Sequence, residues 1–355
     1  MKKNICVLFG GVSPEHAISL RSAEFVLNNL DTEKYDVFPV GITQEGKWFL
    51  YGSRDYSQLP GSRWEDCAEN LPCAISPVRG EGLLVFRGET VERCGVDIVF
   101  PMLHGENGED GAMQGLLQIA GIPYVGPHVS ASAVAMDKTL TKLVVDQAGL
   151  PQAAWQLVRA SDLTHHQDAV IENLENRFRY PMFVKPAGTG SSVGVSKAAD
   201  RESLEKALLH AAKFDKKVLV EEFIHGREVE VAVLGNDNPM ASFCGEIDSG
   251  AEFYDYDAKY VTDTSVAYIP ARIDEEVGEQ VRDAAVKIYK AIGCQGLSRV
   301  DFFVTYEDNR VVFNEINTLP GFTSISMYPK LFDASGIHAS QLIDQLLELA
   351  EEAAL

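Results

Sequence analysis

The sequence predicts an α/β protein that opens with a doubly wound domain and later turns to antiparallel hairpins. Three stretches carry this. Residues 5–9 (Ile-Cys-Val-Leu-Phe) are a short apolar run that meets Gly10-Gly11 and then Ser13-Pro14-Glu15, the order of strand, tight turn and helix start. Residues 96–103 are a second continuous apolar run. It leads into the polar, Gly-rich segment 104–111, and a loop at the carboxyl end of a buried strand is where α/β proteins bind ligands. Residues 298–327 hold two alternating runs joined by Asp308-Asn309, which reads as a β-hairpin.

Ser13 is the expected N-cap of the first helix and Pro14 its first residue. The unit lacks Gly-x-Gly-x-x-Gly, which argues against a dinucleotide site. Glu15, taken alone, is a first-turn acid favoured by the helix dipole. Strands are expected at 37–42, 48–51 and 83–86, with 52–82 a polar, Pro/Gly-punctuated loop excursion of no evident function. The 104–111 segment reads equally as a ligand loop or a solvated one, with a helix starting near Asp110. Helices follow at 131–136 and from Asp137-Lys138 to Ala148. Gly149 closes the second, and Pro151 marks the end of the first domain.

The next segment holds a strand near Gln156 and a helix over 168–176. The apolar run 181–185 then ends in Lys185 and enters a Gly/Ser stretch containing Ser191, Ser192 and Gly194. Glycine lets backbone amides turn toward a phosphate. No Gly-Lys-Ser/Thr opens a helix here, so this is a flap over a nucleotide or a plain hairpin turn, not a Walker loop. A helix covers 202–212. The strand 217–222 ends in Glu221 and Glu222, and Gly226-Arg227-Glu228 begins the next strand, which runs to Leu234. Acids at strand ends either accept from a nucleotide's amine and hydroxyls or simply face water. Residues 248–263 show neither period, yet carry three tyrosines and Lys259, which suits a lid. A helix is expected over 274–292 and a last one over 339–353.

The hairpin has the densest chemistry. Val300, Phe302 and Val304 share one face, and Arg299, Asp301 and Phe303 the other. In the second run Val312, Asn314 and Ile316 alternate with Val311, Phe313, Glu315 and Asn317. If the strands pair antiparallel with the polar faces aligned, Arg299, Asp301, Glu315 and Asn317 converge. Hard oxygen donors suit Mg²⁺ with positions left for phosphate, and a guanidinium beside them suits an oxyanion. The alternative is a hairpin with an ion pair on its wet face.

Composition narrows the classes. The 355 residues are 46% hydrophobic and 23% charged, with a net charge of −21. Such an acidic chain is a poor nucleic-acid binder, so a phosphate site must be built locally. No apolar run is long enough to span a bilayer, and the first ten residues read as a strand rather than a signal peptide. The six cysteines show no zinc or Cys-x-x-Cys spacing, as expected of free thiols in a cytoplasmic protein.

Taken in order, these motifs resemble the ATP-grasp superfamily and, within it, the D-alanine–D-alanine ligase family. The resemblance rests on Phe-Gly-Gly-x-Ser-x-Glu-His at 9–16, His-Gly-x-x-Gly-Glu-Asp-Gly at 104–111 and Met-Asp-Lys at 136–138. It continues with Val-Lys-Pro and Gly-Ser-Ser-Val-Gly-Val within 184–195 and Tyr-Asp-x-Lys-Tyr at 256–260. It ends with Arg-Val-Asp at 299–301 and Asn-Glu-Ile-Asn-Thr-Leu-Pro-Gly-Phe-Thr at 314–323. It implies an ATP-grasp fold, with an N-terminal Rossmann-like domain (1–137), a central lobe (138–222) and a C-terminal lobe (223–355), the two lobes enclosing ATP. It also implies a cytoplasmic homodimer that joins two D-alanines for peptidoglycan precursors, using ATP and two Mg²⁺ or Mn²⁺, without nucleic acid or membrane partners.

By the same resemblance Lys138, Lys185 and Lys259 meet ATP phosphates, with Ser192 in the flap. Glu221, Glu222 and Glu228 lie on the nucleotide, with Glu221 and Glu228 on adenine and ribose. Asp301, Glu315 and Asn317 hold the metals. Glu15 meets the first D-alanine's amine and forms a hydrogen-bonded chain with Ser191 and Tyr260. Arg299 and the Gly321 amide face the oxyanion, and Ser326 takes the second carboxylate. An ATP-grasp ligase with another second substrate, D-serine or D-lactate, and a non-catalytic nucleotide binder are the alternatives.

Overall fold

Three sheets divide the chain in the computed structural model, which describes residues 2–248 and 266–354. The first contains β1 (Lys3–Gly10), β2 (Tyr35–Ile42), β3 (Trp48–Leu50), β4 (Leu71–Ile75), β5 (Leu83–Arg87), β6 (Thr90–Cys94) and β7 (Ile98–Met102). Its order is β6-β5-β4-β3-β2-β1-β7. The pairs β1–β2 and β1–β7 are parallel and the remainder antiparallel. The doubly wound character is therefore confined to the β2-β1-β7 end, where helix α1 (His16–Asn29) packs on β1 and β7. The 0% exposure of Ile5, Val7 and Phe9 on one face and of Cys6 and Leu8 on the other fits strands covered on both faces.

Two expectations are corrected here. The helix begins at His16 rather than Pro14, with Glu15 instead of Ser13 in the N-cap position. The Ser13 hydroxyl accepts the Glu15 N–H (3.1 Å) and its carbonyl the His16 N–H (3.0 Å). Serine satisfying nearby amides competes with helix, so a turn forms first and delivers Glu15 to the helix start. The second correction is residues 52–82, which are not merely loop. They supply β4, two short 3₁₀ turns, and Trp64, whose ring is fully buried edge-on to Phe9 (5.2 Å). Gly41 is required there, because a Cβ would lie 2.4 Å from the Trp64 ring. β6 had no sequence signal, since four of its five residues are exposed and none is buried.

Helices α2 (Ala112–Ala120), α3 (Val129–Met136) and α4 (Lys138–Gln147) lead to the second sheet. It is built from β8 (Trp155–Arg159), β9 (Met182–Pro186), β10 (Ser196–Ala198) and β11 (Lys217–Glu222), in the order β10-β9-β11-β8 and wholly antiparallel. Helices α5 (Ala160–Arg177) and α6 (Arg201–Ala211) cover it.

The third sheet has β12 (Gly226–Leu234), β13 (Met240–Asp248), β14 (Val266–Tyr268), β15 (Leu297–Thr305) and β16 (Val311–Asn317), in the order β14-β13-β12-β15-β16. Helix α7 (Glu275–Ile292) packs on it, as do α3 and α4 through Ala131, Ala135 and Val145. α8 (Met327–Ala334) lies over β12 and β13, while α9 (Ala339–Ala353) returns to the first sheet, where Leu342 and Leu346 share a core with Val7 and Phe100. Between β16 and α8, Phe322 is fully buried against Phe25, Phe100 and Tyr328. Burial of such a ring is worth roughly 1.5–3 kcal/mol. It moors the loop carrying Gly321 to the first domain. Among the described residues no helix is long and apolar enough to cross a membrane.

Candidate active site

A cleft of about 480 Å³ opens between the second and third sheets. One wall carries Lys138, Lys185 and Glu221, and the other Glu228, Phe303 and Glu315.

The β15–β16 hairpin supplies the polar floor. Arg299 stands opposite Asn317, and Asp301 opposite Glu315, so the four polar side chains do converge. The Arg299 guanidinium donates to both Asp301 oxygens (2.8 and 2.7 Å) and lies 3.2 Å from Glu230. Burial alone would ease its proton off, but the charges of Asp301 and Glu230 outweigh that and hold it firmly protonated. Asn317 donates to Asp301 at 3.1 Å. Strict alternation fails beyond this point, because Asp301 pairs with Glu315 but Phe302 with Phe313. Asn314 is the extra residue of a β-bulge, and Asn314 and Glu315 both line the cleft, where alternation had put them on opposite faces.

Lys185 lies near the end of β9, one residue before Pro186. Its ammonium lies 2.6 Å from Glu221 Oε2 and 3.4 Å from Asn314 Oδ1, so it bridges the two walls. Glu221 Oε1 takes a second cation, Lys142, at 2.5 Å. Burial pushes the Glu221 carboxyl up, but Lys142 and Lys185 together bring it down to about 2. Lys142 was not singled out in the sequence. The signal was its spacing of four from Lys138, which puts both on one helix face. Lys138 donates to the Thr189 carbonyl at 2.6 Å, and burial lowers its pKa despite the nearby Glu315. Glu222 lines the cleft, but its carboxylate accepts the Ala154 N–H at 2.8 Å.

The flap over the cleft turns at Ser191 (φ +48°) and Ser192 (φ +59°), both left-handed without being glycine. Ser191 donates to Glu15 Oε1, and both Ser191 and Ser192 line the cleft. The Glu15 carboxylate is wedged between two backbones. A Cβ at Gly105 would lie 2.6 Å from it, and one at Gly190 2.9 Å.

The Gly321 loop is held by His104, Glu109 and Leu319, which stand in the motifs without an assigned role, and by Ser22, which lies in none of them. His104 Nδ1 donates to the Leu319 carbonyl (3.0 Å), so its Nε2 accepts from Ser22 (3.1 Å). Ser22 in turn accepts the Phe322 N–H (3.2 Å). Burial keeps His104 neutral against the pull of Glu15. Glu109 accepts from the Gly105 amide at 2.9 Å and from the Leu319 amide, and burial with Glu15 nearby raises it to about 8. Ser326 accepts the Thr323 N–H (3.0 Å) and pairs with its hydroxyl (2.8 Å), next to Gly321. Lys259 and Tyr260 lie outside the described residues.

Asp301, Glu315 and Asn317 are a hard-oxygen donor set. Among the described residues no group of three or more His, Cys, Asp and Glu could hold a metal. Two carboxylates and an amide fit a metal that keeps positions for phosphate oxygens, as Mg²⁺ does.

Known proteins match nearly the whole chain. Residues 4–127 match the family described as the D-ala D-ala ligase N-terminus, and residues 144–348 the D-ala D-ala ligase C-terminus. The chain is 49% identical to a D-alanine–D-alanine ligase of Acetivibrio thermocellus, over 98% of this chain and 96% of that one. It is also 49% identical to the ligase of Caldicellulosiruptor bescii, over 99% and 96%. Among solved structures it resembles the VanG D-Ala:D-Ser ligase of Enterococcus faecalis (TM-score 0.89, 40% identity, covering 99% and 100%). The D-alanine–D-alanine ligase of Coxiella burnetii is similar (TM-score 0.86, 37% identity, covering 99% and 95%).

Proposed function

The chain belongs to the D-alanine–D-alanine ligase family, and from that premise we propose how its own residues carry the reaction. It is an ATP-dependent ligase of the ATP-grasp fold that joins two D-alanines through an acyl phosphate, for peptidoglycan synthesis. The observation that carries the reading of the site is the hairpin register, with Arg299 opposite Asn317 and Asp301 opposite Glu315 at the edge of a lysine-lined cleft.

ATP lies between the second and third sheets, with its phosphates on Lys138 and Lys185 and its base and ribose toward Glu221 and Glu228. Glu222 and Ser192 contribute from the rim. Lys259 joins the phosphate set by family resemblance. Asp301, Glu315 and Asn317 would hold divalent metal ions, Mg²⁺ or Mn²⁺, which when bound neutralise charge on the phosphate oxygens. Glu15, fixed by Ser191, receives the ammonium of the first D-alanine, with Tyr260 extending that chain by resemblance.

The first D-alanine's carboxylate oxygen attacks the γ-phosphorus, and the bond to ADP breaks. The second amine, uncharged, attacks the acyl carbon. The tetrahedral oxyanion forms beside Arg299 and the Gly321 amide, where fixed donors stabilise it, and phosphate leaves. Ser326 holds the second carboxylate.

We divide the chain into units at 1–137, 138–222 and 223–355, and the change of sheet after Glu222 supports the second seam. A cytoplasmic homodimer completes the proposal. The six cysteines are unpaired, which suits a reducing compartment, and molar mass by light scattering checks the dimer.

The test is ADP and dipeptide formation with D-alanine alone, and with D-alanine plus D-serine or D-lactate. D-alanyl-D-alanine as the main product supports the reading, and D-alanyl-D-serine or D-alanyl-D-lactate in excess overturns the substrate assignment. For the metal residues, Glu315→Gln removes a charge while keeping the shape. We expect near-total loss of turnover with an unchanged melting temperature; wild-type kcat at ordinary Mg²⁺ would refute the role.

A further inference from the structure

Helix α4 is inverted relative to an ordinary surface helix. Leu140 and Leu143 are 42% and 54% exposed, while Lys142 is 2% exposed. A buried ammonium carries a heavy desolvation penalty unless it is paired. Lys142 is paired, at 2.5 Å from Glu221 Oε1, with Gln152 Oε1 3.5 Å away. Gln152 is itself fixed by donating to the Lys142 carbonyl (2.8 Å) and Asp146 (2.6 Å).

The two lysines on Glu221 differ in reach. Lys142 does not line the cleft, and Lys185 does. One buried carboxylate thus has a cation locked behind it and a second in front, facing the space where phosphates are read to lie. If Glu221 had only Lys185, drawing that ammonium to a phosphate would strand a buried anion. With Lys142 behind it, the carboxylate keeps a partner when Lys185 moves.

We propose that Lys142 is a positioning residue: it holds Glu221 from behind so that Lys185 is released to the phosphate groups of the bound nucleotide. The inference rests on the reading that Lys185 meets ATP phosphates. It predicts a defect in nucleotide binding that runs through Glu221, whereas a purely structural buried pair would affect folding and all ligands alike.

The experiment is calorimetric ADP binding, with Mg²⁺ present, to wild type, K142M, E221Q, K142M/E221Q and K185M, together with the KM for D-alanine. K142M is expected to weaken ADP on the order of tenfold, the size of coupling between charged neighbours in contact, and to leave the D-alanine KM unchanged. In the E221Q background the same substitution should cost less than about twofold. Equal losses in both backgrounds would overturn the proposal, as would an unchanged affinity in K142M while K185M binds ADP poorly. An unchanged affinity in K185M would instead remove the reading of Lys185 itself. Should K142M alone not fold, E221Q against K142M/E221Q carries the test, and unequal ADP affinities there overturn the proposal.

Discussion

The Ser191 hydroxyl donates to the Glu15 carboxylate across 176 positions of sequence, tying the flap to the first domain. The bond couples the flap over the proposed nucleotide cleft to the acid proposed to hold the first amino acid's ammonium. A hydrogen bond to a charged group is worth ~1.5–3 kcal/mol, and 1.4 kcal/mol is about tenfold. Ser191→Ala should therefore raise the KM for the first D-alanine about tenfold or more. Ser191→Gly makes a useful comparison, since it also relieves the left-handed backbone (φ +48°). Both variants should show the same KM defect in steady-state assays. A defect in Ser191→Ala alone would assign the effect to strain rather than to the hydroxyl.

Arg299 has two duties, and they can be separated. It faces the proposed oxyanion, and it neutralises Asp301 and Glu230, which are 2% and 5% exposed. Removing one oxyanion donor typically costs ~10²–10³ in kcat. Breaking a buried pair by removing one partner costs about 3–5 kcal/mol. Arg299→Met should show both a fall in kcat of that order and a melting temperature lowered by several degrees. ADP affinity, measured separately, should change less. Equal losses in kcat and ADP affinity would make Arg299 a nucleotide residue.

The hairpin was legible because its period of two fixes which side chains share a face, and a salt bridge or metal set needs only that. The bulge at Asn314 was not legible, because no residue type marks an extra position and Asn314 fits the alternation of Val312 and Ile316. Residues 52–82 hid β4 and Trp64 behind Pro/Gly punctuation, since a three-to-five-residue strand leaves too little alternation to count. Lys142 was hidden differently. A lysine on a helix reads as a solvated face, and two leucines beside it read as core, yet tertiary packing reversed both. Leu319 carries no chemistry in its side chain. Its importance lies in its peptide group, gripped by His104 and Glu109, which no sequence pattern shows.

Glu109 gives a pH prediction with a definite sign. Burial and the charge of Glu15 raise its carboxyl to about 8, against an ordinary value near 4.5 in the unfolded chain. The folded state therefore holds a proton that the unfolded state loses first. Stability from this group is fully present below about pH 4.5 and is lost as pH rises toward 8. Glu109→Gln has no carboxyl to ionise. Its stability curve should be flatter across that window, in denaturant melts of the unliganded protein at several pH values. Parallel curves for wild type and variant would mean that Glu109 is ionised throughout.

Ser326 leads to the question of the second substrate. Its oxygen accepts the Thr323 N–H and pairs with the Thr323 hydroxyl, so it sits in a fixed place beside Gly321. A hydroxyl so placed can grip a carboxylate. D-alanine, D-serine and D-lactate all carry that carboxylate, so Ser326 should bind them alike and choose among them poorly. Ser326→Ala should raise the KM for each acceptor by a similar factor, ~1 kcal/mol or about fivefold for one hydrogen bond, without changing their ranking. The choice between D-alanine and D-lactate must come from the attacking group. An amine attacks only when uncharged, so dipeptide synthesis should rise with pH as the ammonium loses its proton. D-lactate has a hydroxyl that gains nothing over the same range, and should be a poor acceptor throughout. The check is product analysis from pH 6 to 9 with D-alanine and D-lactate competing, in wild type and Ser326→Ala. A change in product ratio on substitution would make Ser326 a specificity residue. An ester yield matching the dipeptide at any pH in that range would show that deprotonation of the amine does not set the choice.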